Sequence, residues 1–180
     1  MTYFMTRYDS PIGVLSLVSD GQGLAGLWIE GQKYFAATLS QPPERREDAP
    51  GLPEARLWLD RYFAGERPGL EGLSLRPAGS PFRQAVWACL QEIPCGQVTT
   101  YGRLAVQTAA RLGRSRISAQ AVGGAVGHNP ISIIVPCHRV VGADGFLTGY
   151  AGGLDKKEWL LRHEGVDTGR DALLCRLSRE

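Results

Sequence analysis

No cysteine or histidine precedes Cys89, so the first 88 residues lack the soft ligands that a structural zinc site uses. The four cysteines, Cys89, Cys95, Cys137 and Cys175, form no C-x-x-C pair. With the three histidines they make no zinc-finger spacing either. Free thiols in a reducing compartment fit this usage better than a disulfide framework. No run approaches the roughly 20 apolar residues of a membrane span. The N-terminal stretch to Leu17 is broken by Arg7, Asp9 and Pro11 and does not read as a secretory signal. A cytoplasmic protein without membrane association is therefore expected. A further absence is of charge: Ile93 to Ala143 contains no Asp or Glu, yet carries Arg103, Arg111, Arg114, Arg116 and Arg139. Such a stretch suits a polyanion, because no carboxylate repels phosphates. A solvated basic face is the alternative.

Residues 3–29 read as a β-meander, with short β-rich runs separated by Ser10-Pro11-Ile12-Gly13 and Asp20-Gly21-Gln22-Gly23 turns. Residues 41–53 are Pro-rich and charged, which predicts a loop. Ala55 to Phe63 has the spacing of a short amphipathic helix, and the Gly-rich residues 64–79 read as a connector. Ser80-Pro81 is a helix start, followed by Phe82, Val86 and Leu90 on one stripe. A helix from Thr99-Thr100-Tyr101 towards Arg111, a turn with Gly113, Arg114 and Arg116, and a helix from Ala119 to about Gly127 capped by Ser118 resemble a helix-turn-helix. The last of these helices holds three glycines, a cost of about 3 kcal/mol relative to alanine. That implies close approach of its backbone to a neighbouring element, to a DNA groove, or to both on opposite faces. Ile131 to Val135 is predicted to be a buried strand. Gly142 to Gly153, around Tyr150, reads as a mobile loop. Leu154 to Glu164 reads as a helix stopped by Gly165, and residues 166–180 as a polar, frayed tail.

Cys137 follows that apolar run and Pro136, whose fixed φ stiffens the approach to the thiol. His138 is next in the chain. A thiol is a nucleophile only as thiolate, so a neighbouring imidazole that takes its proton, oriented by a carboxylate, would activate it. Glu164 is the best-placed carboxylate. The plainer alternative is that Cys137 is a small buried hydrophobe. Cys89 reads as core, Cys175 as inert, and Trp28, Trp58, Trp87 and Trp159 as core.

Ile133-Ile134-Val135-Pro136-Cys137-His138-Arg139-Val140 is similar to the active-site signature of the methylated-DNA–protein-cysteine methyltransferases (O6-alkylguanine-DNA alkyltransferases), in particular their bacterial, Ogt-like members. The resemblance extends over Ser80 to Gly165. It includes Pro94-Cys95-Gly96-Gln97-Val98, Tyr101-Gly102, Ala121-Val122-Gly123-Gly124, Asn129-Pro130, Thr148-Gly149-Tyr150-Ala151-Gly152-Gly153 and Lys157-Glu158-Trp159-Leu160-Leu161. Residues 1–78 match more loosely. The implied fold class is α+β. Residues 1–78 would be a ribonuclease-H-like α/β domain with a small antiparallel sheet. Residues 79–166 would be a mostly helical, winged-helix-like domain holding the helix-turn-helix and the active-site cysteine, and 167–180 a polar tail.

The resemblance also implies roles. Cys137 would take the alkyl group in one displacement, His138 would accept the thiol proton through water, and Glu164 would hold His138. Tyr101 would help rotate the nucleotide out and donate towards the purine. Asn129 would hinge the recognition helix to the active-site turn. Tyr150, the Ala151 amide and Val140 would line the base pocket. Gln120, Ala121, Gly123, Gly124, Arg114, Arg116, Thr100 and Arg139 would face DNA, with the recognition helix in the minor groove. The family commonly has an arginine where this chain has Gln120; Arg114 or Arg116 could supply the missing charge. Some relatives carry a zinc site in the N-terminal domain, but no metal is expected here, and no cofactor. The expected activity is single-turnover repair of O6-alkylguanine, and of O4-alkylthymine, in double-stranded DNA by a monomer. Two rivals remain: a lesion-binding module, disfavoured by the presence of Cys137, and a Cys/His hydrolase, disfavoured by the acid-free arginine stretch.

Overall fold

The Ser10–Gly13 reversal lets two alternating runs pair at once. In the computed structural model, which describes residues 2–178, β1 (Phe4–Ser10) and β2 (Gly13–Ser19) are antiparallel, in register from Ser10 opposite Gly13 to Phe4 opposite Ser19. β3 (Leu24–Ile29) continues the meander, and the sheet order is β3-β2-β1-β4. β4 is only Glu44–Arg45, parallel to β1. It lies within the segment expected to be a loop, because two residues leave no periodic signal. Gly26 is required by its own strand: a Cβ there would lie 2.0 Å from the Trp28 ring, which folds back over it on the same face. Helix α1 (Leu52–Phe63) starts a turn earlier than expected. The Gly51 amide donates to Glu54 Oε2 at 3.0 Å, and Pro53 is tolerated in a first turn that needs no amide donor. α1 buries Leu52, Ala55, Trp58, Leu59 and Tyr62.

The chain divides into two units, one of residues up to Ala78 with Pro130–Ile134, the other of Gly79–Asn129 with Val135 onward. In the first unit Leu27 receives Pro130–Ile134: its amide donates to the Pro130 carbonyl, and the Ser132 amide donates to its own carbonyl, both at 2.8 Å. The strand expected over Ile131–Val135 is therefore reduced to a single bridge at Ile131, followed by a turn. Periodicity cannot separate a buried coil from a buried strand. Ile133 adopts φ 70°, an outlier for a β-branched residue.

The second unit opens with α2 (Pro81–Gln91), where Ser80 accepts the Arg83 amide. A two-stranded parallel ladder joins β5 (Thr99–Thr100) to β6 (Val140–Val141). α3 (Tyr101–Arg111) is capped by Thr100 and α4 (Ala119–Gly127) by Ser118. Trp87 Nε1 ties α2 to the Ala125 carbonyl of α4 at 2.9 Å. α5 (Leu154–His163) ends at Gly165, with φ 82°. Residues 170–177, expected to fray, form α6 (Arg170–Leu177). Its Leu173 and Leu177 join Val98, Val141, Leu161 and Val166 in one apolar cluster, and each such burial contributes about 2 kcal/mol. Among the described residues no helix is long and apolar enough to cross a membrane.

Candidate active site

Pro136 ends the buried turn, and the next three residues, Cys137–Arg139, form one 3-10 turn before β6. This places Cys137, His138 and Arg139 on consecutive positions of a tight turn, all three buried. α5 supplies the opposite wall. Its Lys157, Leu160 and Leu161 are buried, as is Glu164 at its C-terminal cap, and these positions fall on one helical face.

Glu164 is the junction of the site. His138 Nε2 lies 2.6 Å from Oε1, and Arg139 donates from Nε to Oε2 at 2.8 Å and from Nη2 to Oε1 at 3.0 Å. The Gly96 amide donates to Oε2 at 3.2 Å. Burial alone would raise the carboxyl, but His138 and Arg139 outweigh it and hold Glu164 well below the usual carboxylate range. Burial likewise lowers His138. The pull of Glu164 is opposed by the cations Arg139 and Lys157, and the net direction is down, so the imidazole is neutral. A neutral ring beside an ionised carboxylate donates from Nε2, leaving the Nδ1 lone pair free. Nδ1 is buried and has no hydrogen-bond partner among the described residues.

Burial pushes the Cys137 thiol up, against the lowering effects of the Asn129 side chain, the Lys157 charge and two backbone amides. The resting sulfur is a thiol. Asn129 also donates from Nδ2 to the Val135 carbonyl at 2.8 Å, closing the loop that leads to the cysteine.

Lys157 was not among the residues expected to form the site. Its Nζ donates to the carbonyls of Val140 at 2.5 Å, Thr148 at 2.6 Å and Gly149 at 3.3 Å, which uses all three ammonium protons. Burial lowers it to about 8, with Cys137 acting in the opposite direction. The signal that could have found it is its spacing: Lys157, Leu160, Leu161 and Glu164 follow an i, i+3, i+4, i+7 pattern that puts two charges on a buried stripe.

Tyr101, at the start of α3, donates to the Thr148 carbonyl at 3.1 Å and is raised by burial. Tyr150 is pushed well up, first by burial and then by Cys137 and Glu164. Its hydroxyl is buried with no partner among the described residues. Ala151 is half-buried beside it, and Val140 is fully buried, its carbonyl taken by Lys157.

The residues expected to face DNA separate into two groups. Gln120, Ala121 and Gly124 are exposed along α4, and Arg114 and Arg116 are exposed on the turn before it. Those two arginines line a cleft of about 380 Å³ with Val106, Ala109 and Ala110 of α3. A Cβ on Gly124 would meet nothing within 4 Å, whereas one on Gly123 would touch the Tyr101 ring at 3.6 Å. The two glycines thus answer to different neighbours, one to open space and one to α3. Thr100 and Arg139 are corrections. The Thr100 hydroxyl is buried and accepts the Arg103 amide at 3.2 Å as a helix cap. Arg139 is 8 % exposed, held by Glu164 and by the Ile93 carbonyl at 2.5 Å, because a buried guanidinium must be fully paired.

Two family models match the chain. The ribonuclease-like domain of 6-O-methylguanine DNA methyltransferase matches residues 3–77, and the DNA binding domain of the same family matches residues 81–166. A methylated-DNA–protein-cysteine methyltransferase of Haemophilus influenzae is 40% identical over 163 residues, 91% of this chain and 87% of that protein. One from Methanosarcina acetivorans is 43% identical, over 88% of this chain and 96% of that protein. The Mycobacterium tuberculosis OGT structure in complex with DNA is 38% identical with a TM-score of 0.76, covering 96% of this chain and 99% of that one.

Proposed function

The chain belongs to the 6-O-methylguanine DNA methyltransferase family, and from that membership we propose that it repairs alkylated DNA by moving the alkyl group onto Cys137 Sγ. The observation that carries this reading is the unpaired, buried Nδ1 of a neutral His138 locked to Glu164. That atom can accept the thiol proton through a water, and the resulting imidazolium is stabilised by the carboxylate. The thiolate then attacks the alkyl carbon. A C–S bond forms as the C–O bond breaks, and the bonding electrons leave with the base, which accepts a hydrogen bond from Tyr101 and takes up in the end the proton that left Cys137. Lys157 holds positive charge beside the forming thiolate. The thioether product is stable, so each molecule acts once, and no cofactor is needed because the DNA itself is the alkyl donor.

A sulfur this buried cannot reach an atom inside a base stack, so the damaged nucleotide is turned out of the duplex into the space beside Tyr150 and Ala151, at a cost of a few kcal/mol. α3 and α4 act as a helix-turn-helix whose exposed face, Gln120, Ala121 and Gly124, enters the minor groove. Gln120 fills the vacated stack, and Arg114 and Arg116 supply charge to the backbone. O6-alkylguanine is the principal substrate and O4-alkylthymine, with the same exocyclic alkoxy group, a second. The protein works as a monomer on double-stranded DNA.

The test is incubation with a duplex carrying one O6-methylguanine, followed by peptide mass spectrometry. One methyl on Cys137, with reaction ceasing at one equivalent, is the expected result. Tight binding with an unmodified Cys137 would instead identify a lesion-binding module. Turnover of an acyl substrate would identify a hydrolase.

A further inference from the structure

The family model ends at residue 166, but the chain continues into α6. Leu173 and Leu177 anchor that helix in the apolar cluster of the second unit, and two of its arginines reach the backbone around the site. Arg170 Nε donates to the Asp144 carbonyl at 3.1 Å, and its guanidinium lies 4.8 Å from the centre of the Phe146 ring. The turn it grips is tight: Gly142 donates to the Phe146 carbonyl at 2.9 Å. Gly145, at φ 77°, passes so close under α6 that a Cβ would lie 2.8 Å from both the Arg170 carbonyl and Leu174. Two residues after Phe146 come the Thr148 and Gly149 carbonyls that receive Lys157, and then Tyr150. At the other end of α6, Arg176 Nη1 donates to the Gly96 carbonyl at 2.5 Å. The amide of that same Gly96 donates to Glu164.

We infer that α6 positions the alkyl-transfer site: Arg170 fixes the turn that delivers Tyr150, and Arg176 fixes the Gly96 amide against Glu164. The inference rests on the reading of Cys137 as the alkyl acceptor. Neither arginine touches the reacting atoms. Each acts through one peptide group, and such positioning matters because misplacement of about 1 Å at a reacting centre costs roughly a hundredfold in rate. Leu173 and Leu177 already pack the helix against the core, and the arginines add direction to that contact.

The experiment compares the full-length protein with Arg170→Ala, Arg176→Ala and Arg176→Lys. Single-turnover methylation of Cys137 is followed over a range of protein concentrations, which separates the maximal rate from duplex affinity, and thermal melting is recorded in parallel. The expected result is a maximal rate about tenfold lower in both alanine variants, with affinity within about twofold of the parent. Arg176→Lys should recover most of the rate, since an ammonium can still donate to the single carbonyl. Maximal rates equal to the parent in Arg170→Ala and Arg176→Ala would overturn the inference. So would losses that track the melting temperature alone and that lysine does not restore. Should Arg176→Ala fail to fold, Arg170→Ala and Arg176→Lys decide the matter by the same criteria. A parent protein that leaves Cys137 unmodified would instead sink the alkyl-transfer reading on which this one stands.

Discussion

A histidine that is neutral at rest keeps its capacity as a base on the acid side of neutrality. Burial, assisted by Arg139 and Lys157, sets His138 below its ordinary value of 6.5. The acid limb of methyl transfer should therefore be centred below 6.5. An acid limb centred above 6.5 would contradict this. The same groups govern stability. His138 and Glu164 each bind fewer protons in the folded chain than in the unfolded one, so their contribution to stability is complete above 6.5 and falls as pH drops, with Glu164 adding its loss below 4.5. Melting temperatures across that range give the check. Lys157 makes a different kind of prediction. Lys157→Met keeps the volume of the stem but removes the ammonium donor of the buried Val140 carbonyl, while the Thr148 carbonyl keeps Tyr101. Losing the donor to a buried carbonyl costs about 1–3 kcal/mol, and urea unfolding should show a loss in that range. A loss below about 0.5 kcal/mol would mean that the ammonium is not holding these segments together.

Among the elements, α4 sets stability against function. Gly124 lies in the helix interior, and its Cβ position is open. Gly124→Ala should accordingly stabilise the protein by about 0.5–1 kcal/mol. If the open face is the surface that meets the minor groove, the added methyl should also weaken DNA binding. A variant that is both more stable and a better binder would rule out that use of the face. Elements announced by side-chain caps were the legible ones: Ser80 and Ser118 each accept the amide that their position predicts. The elements that escaped the sequence owe their form to distant partners. Ile131–Val135 coils because Leu27 and Asn129 claim its backbone. α6 forms because two leucines in a polar segment find the cluster around Leu161. The site shows the same division. Cys137, His138 and Glu164 were readable, whereas Arg139 reads as one more surface cation until the carboxylate it braces is located.

For the whole molecule the governing quantity is where charge is withheld. The acid-free span from Ile93 to Ala143 leaves Arg114 and Arg116 exposed, while Arg139 is internally neutralised. Of these three, it is the exposed pair that can displace counterions from a duplex. Replacing both by alanine should flatten the dependence of log affinity on log salt by about 1 for each arginine. It should leave methyl transfer to Cys137 intact at saturating duplex. An unchanged slope would remove both residues from the interface.

The protonated, enclosed state of Cys137 also determines how the protein keeps between uses. If each molecule acts once, as proposed, it is a stored reagent, and its capacity is a count of unspent sulfurs. A thiol with a raised pKa and 6 % exposure is a poor target for oxidants and stray electrophiles, which take thiolates at the surface first. Cys175, exposed on α6, stands outside that protection. The burial that delays the reaction until His138 and a base are in place is thus also what gives the unused protein its shelf life.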